Sequence, residues 1–218
     1  MVMRMRKLLT LCVAVVLAAG LARPAVAQLA GRTAEEWIKT LDTPTRIASL
    51  KVTETLAALK IKPGLVVADI GAGTGVFSIP FGVAVRPGGK VYAVDIEQGL
   101  VDHIDDKAGE MGLTNYVQGV HGEFDDPNLP AEIDLAFIND VLHHIEHRRL
   151  YLKNLAAYLR PGGRIAVIDF RPNMGGHRNQ PELQTNPGDV TGWMADAGLK
   201  PVEEVKLFED KWFVIYGK

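Results

Sequence analysis

Short apolar runs of strand length alternate with helix-like segments through the centre of this chain, and this alternation limits its fold more than any other feature. Strands that are separated by helices need right-handed crossovers, which build a parallel sheet with helices on both faces. The first predicted strand, 65–70, is a short apolar run of the kind that forms buried parallel strands. The other predicted strands of this part are 90–96, 116–120, 133–139 and 164–170. The predicted helices are 45–61, 76–85, 98–111, 146–159 and 187–197.

The last part of the chain has the pattern of a β-hairpin. Two strand-like segments, 201–208 and 211–217, are joined by Glu209-Asp210. A hairpin of this kind adds one antiparallel strand to the parallel strands that precede it. The sequence therefore predicts an α/β fold with a doubly wound, mostly parallel sheet.

The first 27 residues have the layout of a secretory signal peptide. Basic residues precede an uninterrupted apolar run, Leu8–Ala22, and Ala25-Val26-Ala27 forms a small-x-small cleavage pattern before Gln28. The run is shorter than the roughly 20 residues of a membrane-spanning helix. We therefore expect export to the periplasm and no stable membrane span after processing. The alternatives are an uncleaved membrane anchor and a misassigned start in front of a cytoplasmic protein.

Composition excludes several classes of function. The only cysteine, Cys12, lies inside the apolar run, so a chain that starts at Gln28 has no thiol. Disulfides, thiolate metal sites and cysteine nucleophiles are therefore excluded. The formal net charge is −2 and there is no long basic stripe, so nothing favours binding to nucleic acid. The oligomeric state stays open.

DIGAGTG, Asp69–Gly75, directly follows the first predicted strand. In a doubly wound sheet, ligands lie beyond the carboxyl ends of the strands, and glycines there let a ligand lie against the main chain. Asp95 ends the second predicted strand 20 residues after Gly75, and an acid at this place binds a ribose diol. The spacing G-x-G-x-G differs from the G-x-G-x-x-G of dinucleotide sites. It favours S-adenosylmethionine over NAD, with a nucleotide-dependent oxidoreductase as a weaker alternative.

Five segments in order extend this pattern: VVADIGAGTGVFSI, KVYAVDI, HGEFDDPNLP, DLAFINDVLHHI and LRPGGRIAVIDF. Together they resemble the serial motifs of class I S-adenosylmethionine-dependent methyltransferases. The resemblance implies one such domain at 45–218, after a signal peptide at 1–27 and an N-terminal extension at 28–44. It also implies a seven-stranded sheet of order 3-2-1-4-5-7-6 with the last strand antiparallel, and S-adenosyl-L-methionine as the cofactor.

The resemblance further implies roles for single residues. The glycine loop would hold the amino-acid end of the cofactor, Asp95 its ribose hydroxyls and Ile96 its adenine. Glu123 stands where the family usually has an aspartate that bonds the adenine amino group, so the neighbouring Asp125 is an alternative, and Phe124 would offer its main-chain amide. The implied cofactor-binding residues are Asp69, Gly71, Ala72, Gly73, Gly75, Asp95, Ile96, Glu123, Phe124 and Asn139.

Methyl transfer from a sulfonium is an in-line displacement with a good leaving group, so positioning can supply much of the barrier reduction. A general base is needed only if the acceptor must lose a proton. The candidate catalytic residues at the ligand edge are Asp140, His143 and His144. The residues expected on the substrate side are Asp169, Arg171 and His177.

The sequence HHIEH raises the question of a metal site. His143 and His147 are four residues apart and could share one face of a helix, as metal ligands can. The segment VLHHI is ordinary in the family that the chain resembles, where the histidines pack or cap. Packing or hydrogen bonding is therefore the favoured interpretation, and no metal is predicted.

The function expected from these features is S-adenosylmethionine-dependent methyl transfer to a small-molecule or lipid-like acceptor. The lack of cysteine after residue 12 argues against the arsenite-methylating members of the family, which work through cysteines. The alternative is an exported, non-catalytic S-adenosylmethionine- or nucleoside-binding module that keeps the fold. The acceptor and its methylated atom stay open.

Overall fold

The computed structural model of this protein describes residues 32–218. The predicted signal peptide, 1–27, and the first residues of the extension, 28–31, lie outside the described residues. The helices are α1 (Ala34–Leu41), α2 (Pro44–Ser49), α3 (Val52–Leu59), α4 (Ser78–Ala84), α5 (Gln98–Glu110), α6 (Arg148–Ala157) and α7 (Pro187–Asp196), with 3-10 turns at Leu142–His144 and Pro181–Leu183. Within residues 32–218, none of these helices has the length and apolar character needed to cross a bilayer.

The strands of the described residues form one seven-stranded sheet in the order β3-β2-β1-β4-β5-β7-β6. The strands are β1 (Val66–Ile70), β2 (Lys90–Asp95), β3 (Val117–His121), β4 (Ile133–Asn139), β5 (Leu159–Phe170), β6 (Lys200–Glu204) and β7 (Lys211–Gly217). β7 is antiparallel to both of its neighbours, and the pairs from β3 through β5 are parallel. The predicted fold class and strand order are confirmed.

The sheet divides the core into two layers because successive side chains of a strand point to opposite faces. In β1, Val67 packs in one layer, whereas Ala68 and Ile70 pack in the other. In β2, Val91 and Tyr92 divide in the same way. Both layers are covered by helices, which explains why these strands are continuous apolar runs without polar alternation.

The prediction of one continuous helix at 45–61 is wrong. Two short helices, α2 and α3, cover this segment, and Lys51 between them has a left-handed backbone with φ 47°. This break separates the hydrogen-bond ladders of the two helices. Leu50 and Leu59 are both fully buried in the same layer of the core. Burial of these two leucines outweighs the helix propensity of the segment.

Other boundaries shift by a few residues. β5 begins at Leu159 and not at 164, because Leu159 pairs with Ile133 before the register shifts at the Pro-Gly-Gly segment. The last helix of the parallel part, α6, is correspondingly shorter than the predicted 146–159. Part of the N-terminal extension is also regular, since α1 begins with a capping box formed by Thr33 and Glu36.

Candidate functional site

A cavity of about 740 Å³ lies beyond the carboxyl ends of β1, β2 and β4, where a doubly wound sheet binds its ligands. Five parts of the chain enclose it: helices α1 and α2, the glycine loop, the end of β2, the loop after β3, and the segment after β4. The residues of the wall that come from the two N-terminal helices are Trp37, Leu41, Arg46 and Leu50. The sequence-predicted residues that line the cavity are Asp69, Gly71, Ala72, Gly73, Asp95, Ile96, Glu123, Phe124, Asn139, Asp140 and His144.

The glycine loop needs glycine for two separate reasons. Gly71, Gly73 and Gly75 all have positive φ, at 66°, 57° and 73°, a region that residues with a β-carbon rarely adopt. A β-carbon at position 71 would also lie only 2.5 Å from a methyl group of Val141. The loop is held against β2 because the Ala72 amide donates to the Val94 carbonyl at 2.9 Å.

Gly75 belongs to this loop but does not line the cavity. A β-carbon there would meet Ile104 of α5 at 3.2 Å, so the close approach at this position is to a helix of the core. Its contact with the cofactor therefore stays a prediction. Gly71 and Gly73 remain on the wall.

Asp69, the residue before the end of β1, has a buried carboxyl group and a relative exposure of 3%. Its Oδ2 accepts a hydrogen bond from the Ser78 hydroxyl at 2.6 Å. Burial raises the pKa of Asp69 to about 7, with a further contribution from the charge of Asp95, although the bond from Ser78 opposes the shift. The group is therefore partly protonated near neutral pH in the absence of a ligand.

Asp95 is the last residue of β2, and its carboxylate holds the glycine loop in place by hydrogen bonding. Its Oδ2 accepts from the Gly73 amide at 2.9 Å, and its Oδ1 accepts from the Glu97 amide at 3.1 Å. Burial raises the pKa of Asp95, whereas these backbone bonds oppose the rise. The carboxylate thus has a fixed orientation at the wall of the cavity, next to Ile96.

The loop after β3 forms the expected adenine side. Glu123 and Phe124 line the cavity, and about half of the Phe124 side chain is exposed. Glu123 donates its amide to the Asp126 carbonyl at 2.7 Å, which closes the loop. Asp125, the alternative to Glu123, does not line the cavity.

Asn139 is the last residue of β4, Asp140 follows it, and both line the cavity. Asp140 has a left-handed backbone with φ 55°, and its Oδ2 accepts from the Lys211 ammonium at 2.5 Å. Burial raises the pKa of Asp140, and the charge of Lys211 opposes this. Oδ1 of Asn139 and Oδ1 of Asp140 are both buried and have no hydrogen-bond partner within residues 32–218.

Lys211 and Arg46 are residues that the sequence analysis missed. Lys211 starts β7, and because β7 is antiparallel, its first residue lies at the carboxyl end of β5, opposite Phe170. In the sequence, a lysine at the start of an otherwise apolar strand could have indicated a functional role for Lys211. Arg46 lines the cavity from α2 and is close enough to Asp140 for their charges to interact.

The histidines of the segment after β4 have different environments. His143 is 4% exposed, and its Nδ1 lies 2.7 Å from Oδ1 of Asp169. It does not line the cavity, which corrects its expected position as a base facing the substrate. His144 lines the cavity. Burial, followed by the charges of neighbouring histidines, lowers the pKa of His144 to about 3.

The three residues expected on the substrate side lie elsewhere. Asp169, Arg171 and His177 surround a small pocket behind the cavity, together with His143. Asp169 is fully buried and accepts hydrogen bonds from the His143 and Phe170 amides. None of these three residues lines the large cavity, so the structure does not bring them to the expected substrate side.

Comparisons with known proteins agree with this geometry. A sequence profile for a methyltransferase domain matches residues 68–165. The ubiquinone/menaquinone biosynthesis C-methyltransferase UbiE of Ectopseudomonas mendocina is 29% identical over 117 residues, which are 53% of this chain and 46% of that protein. The chain thus spans about half the length of the curated relatives it matches.

Two solved structures show the same fold. A SAM-dependent methyltransferase from Aquifex aeolicus aligns with a TM-score of 0.73 and 24% identity, over 85% of this chain and 98% of that one. Magnesium protoporphyrin IX methyltransferase (ChlM) of Synechocystis, solved with bound SAH, aligns with a TM-score of 0.62 and 21% identity, over 89% and 93%. At these identities the likeness describes the fold.

Proposed function

We propose that this chain, which matches a methyltransferase-domain profile over residues 68–165, uses S-adenosylmethionine and transfers its methyl group to a small, largely apolar acceptor. One observation carries the proposal: the glycine loop, Asp95 and the end of β4 all face a single cavity. In this arrangement the amino-acid end of the cofactor lies along Gly71–Gly73. Its ribose hydroxyls bind Asp95, and its adenine lies beside Ile96 and Phe124.

The charges of the cavity support a cationic cofactor. The sulfonium and the amino group of S-adenosylmethionine carry positive charge, and the carboxyl groups of Asp69, Asp95, Glu123 and Asp140 lie around the space. In the transfer step the acceptor atom forms a bond to the methyl carbon as the carbon–sulfur bond breaks. The sulfur keeps the electron pair and leaves as a neutral thioether. Walls that hold the two partners in line supply much of the rate enhancement.

The acceptor is expected to meet the side of the cavity that α1 and α2 build. Trp37, Leu41 and Leu50 give this side an apolar surface, and Arg46 gives it one cation. An aromatic or lipid-like molecule with one polar or anionic substituent fits this combination. The similarity to a C-methyltransferase named for quinone biosynthesis supports an acceptor of this chemical class.

If the acceptor must lose a proton, Asp140 is the candidate base that fits best. It lines the cavity, has one oxygen without a partner among the described residues, and has a pKa raised by burial. A raised pKa makes a carboxylate a better proton acceptor. His144, with its pKa of about 3, is a weak base, and the ring of His143 is engaged by Asp169.

Calorimetry with S-adenosylmethionine and S-adenosylhomocysteine tests the first part of the proposal. We expect saturable binding of one molecule per chain, and an absence of binding at millimolar ligand would reject the proposal. Release of S-adenosylhomocysteine with a panel of apolar acceptors then tests turnover. Binding without transfer to any acceptor in a broad panel would favour the non-catalytic module.

We also propose that the chain is exported. The support is the basic start, the apolar run and the cleavage pattern before Gln28. Mass spectrometry of the protein isolated from its native cell tests this, because processing predicts a mature N-terminus at Gln28. An intact Met1 on the isolated protein would reject cleavage.

A further inference from the structure

Three histidine rings from two separate segments meet behind the wall of the cavity. The ring centres of His143 and His144 are 4.2 Å apart, and the ring centre of His177 lies 5.1 Å from the first and 5.0 Å from the second. One ring nitrogen of each residue lies within 4.8 Å of the other two. The helical spacing of His143 and His147 does not describe this cluster, because His177 comes from the loop after β5.

The outer nitrogens of two of these rings are already engaged. Nδ1 of His143 lies 2.7 Å from Oδ1 of Asp169, and Nδ1 of His177 lies 2.6 Å from Oε1 of Gln180. Because both partners are acceptors, each Nδ1 carries the proton and each Nε2 keeps its lone pair. Histidines that bind metals commonly donate their other N–H to a carboxylate or carbonyl oxygen in this way.

The third ring, that of His144, forms no hydrogen bond with the described residues. Nδ1 of His144 is buried and has no partner anywhere in residues 32–218. A buried nitrogen with a free lone pair or an unused N–H is unfavourable unless something binds it. A metal ion at the centre of the cluster would use this ring together with the two Nε2 atoms.

The two segments that supply the ligands are tied to each other. The Arg148 guanidinium donates to the Leu142 carbonyl at 3.1 Å and to the His143 carbonyl at 2.6 Å. It also donates to the Glu182 carbonyl at 3.0 Å, on the segment that follows His177. This bridge fixes the backbone around His143 and His144 relative to the loop of His177. The backbone therefore sets the relative positions of the three histidines.

We propose that His143, His144 and His177 form a binding site for one divalent transition-metal ion of the Zn²⁺ type. Three imidazole nitrogens are a ligand set that suits zinc, and a fourth position then stays open for water or a substrate oxygen. Three atoms no more than 4.8 Å apart surround a point at most about 2.8 Å from each, whereas zinc–nitrogen bonds are about 2.0–2.1 Å long. Small inward movements of the rings therefore complete the site.

The location links the ion to the cavity. His144 lines the large cavity, whereas His143 and His177 line the small pocket behind it. The ion would lie in the wall between them. The site goes beyond the proposed methyl transfer, and its test does not depend on that activity.

The test uses the whole chain after treatment with a chelator. Calorimetric titration with Zn²⁺ should show one ion per chain with a micromolar or lower Kd. Titration with Co²⁺ should give the visible absorption of an ion bound to nitrogen ligands. An absence of saturable binding of both ions at 100-fold excess over the protein would overturn the proposal.

Variants locate the ion. We expect His177→Ala to weaken Zn²⁺ binding at least tenfold, and Gln180→Ala to weaken it about tenfold through loss of the outer hydrogen bond. The matched control is His147→Ala, which removes a nearby histidine outside the cluster and should bind Zn²⁺ as the parent does. Equal affinities of the three variants and the parent, or loss of the ion in His147→Ala alone, would place the ion elsewhere and reject the site.

A second measurement separates a local effect from unfolding. Binding of S-adenosylhomocysteine is recorded for each variant, and retention of this binding together with loss of Zn²⁺ supports a local metal site. Should His177→Ala fail to fold, the Gln180→Ala variant decides the question. Parent-like Zn²⁺ affinity in a folded Gln180→Ala protein would then count against the site.

Discussion

At the scale of single residues, Asp95 links the two halves of the candidate cofactor site. Its carboxylate accepts from the backbone of the glycine loop and from the turn after β2, and it lines the space where a ribose is expected. We expect Asp95→Asn to weaken S-adenosylmethionine binding about 10- to 100-fold, since hydrogen bonds to charged groups contribute about 1.5–3 kcal/mol. Calorimetry measures the change.

The matched control for Asp95→Asn is Asp102→Asn. Asp102 is exposed on α5 and accepts a hydrogen bond from Gln98. The control variant should bind the cofactor like the parent. Equal losses of affinity in the two variants would mean that net charge, and not a contact of Asp95, governs binding.

Gly71 allows a comparison between two glycine-to-alanine changes. Gly71→Ala puts a β-carbon at positive φ and 2.5 Å from Val141, so we expect a loss of about 1–3 kcal/mol in the free energy of unfolding. Gly109→Ala, in α5 with open space around the new methyl group, should gain about 0.5–1 kcal/mol. Urea denaturation measures both, and a neutral Gly71→Ala would contradict the close contact.

Asp69 predicts how the stability of the ligand-free protein depends on pH. Its pKa is about 7 in the folded state and 3.8 as the reference value, so between these values the folded state binds more protons than the unfolded state. The contribution of Asp69 to the free energy of unfolding therefore falls as the pH rises from about 4 to 7, by about 1.4 kcal/mol per unit of pKa shift at most. Above pH 7 this contribution is constant.

The Asp69→Asn variant tests the assignment of this pH dependence. An amide does not titrate, so the fall in stability between pH 4 and 7 should be smaller in the variant than in the parent. Thermal or urea unfolding at several pH values measures the difference. Identical pH profiles of parent and variant would show that another group titrates.

Most of the residues around the cavity were predictable because motif and topology point to the same edge of the sheet. A residue at the end of a strand, such as Asp95 or Asn139, lies at that edge of the sheet regardless of how the flanking helices pack. The positions of His143 and Asp169 were not predictable, since they depend on the direction the backbone takes after β4 and β5. Trp37 and Arg46 come from helices that have no motif, and only tertiary packing brings them to the site.

At the scale of secondary structure, α1 is a helix whose N-terminal cap can be tested separately from its packing. No residue of α1 is fully buried, and its N-terminus has the reciprocal Thr33–Glu36 capping box. We expect Thr33→Ala to cost about 0.5–2 kcal/mol of local stability and to speed amide hydrogen exchange in residues 35–41. Because Trp37 and Leu41 line the cavity from this helix, the acceptor KM should rise more than the Kd of the cofactor.

The control for this change is Thr114→Ala, at an exposed threonine in the turn before β3. It should leave the exchange of α1 unchanged. Unaltered exchange in Thr33→Ala as well would show that contacts with the rest of the domain hold α1 in place.

The elements themselves differ in how far the sequence determines them. The apolar runs of β1, β2 and β4 predict these strands within one or two residues, whereas the start of β5 is missed by five. The segment 45–61 misleads because Lys51 adopts a left-handed conformation that is usual for glycine and uncommon for lysine. The break reflects the burial of Leu50 and Leu59 in the core, which a local helical pattern does not express.

For the whole molecule, the cofactor should act as a stabilising ligand. A ligand that binds only the folded state adds about 2.7 kcal/mol at a concentration of 100 times its Kd. S-adenosylhomocysteine should therefore raise the Tm of the parent protein, and the rise should continue with the logarithm of ligand concentration. Thermal unfolding measures this, and the same ligand concentration should give a smaller rise in Asp95→Asn.

The position of β7 has a consequence for the order in which the molecule can be assembled. β7 lies between β5 and β6 and is made after both, and among the described strands β6 pairs with no other. Lys211, the partner of Asp140, arrives with this same strand. A ribosome makes the chain from its N-terminus. The β6 edge of the sheet and the ion pair between Lys211 and Asp140 therefore cannot form until β7 has been synthesised.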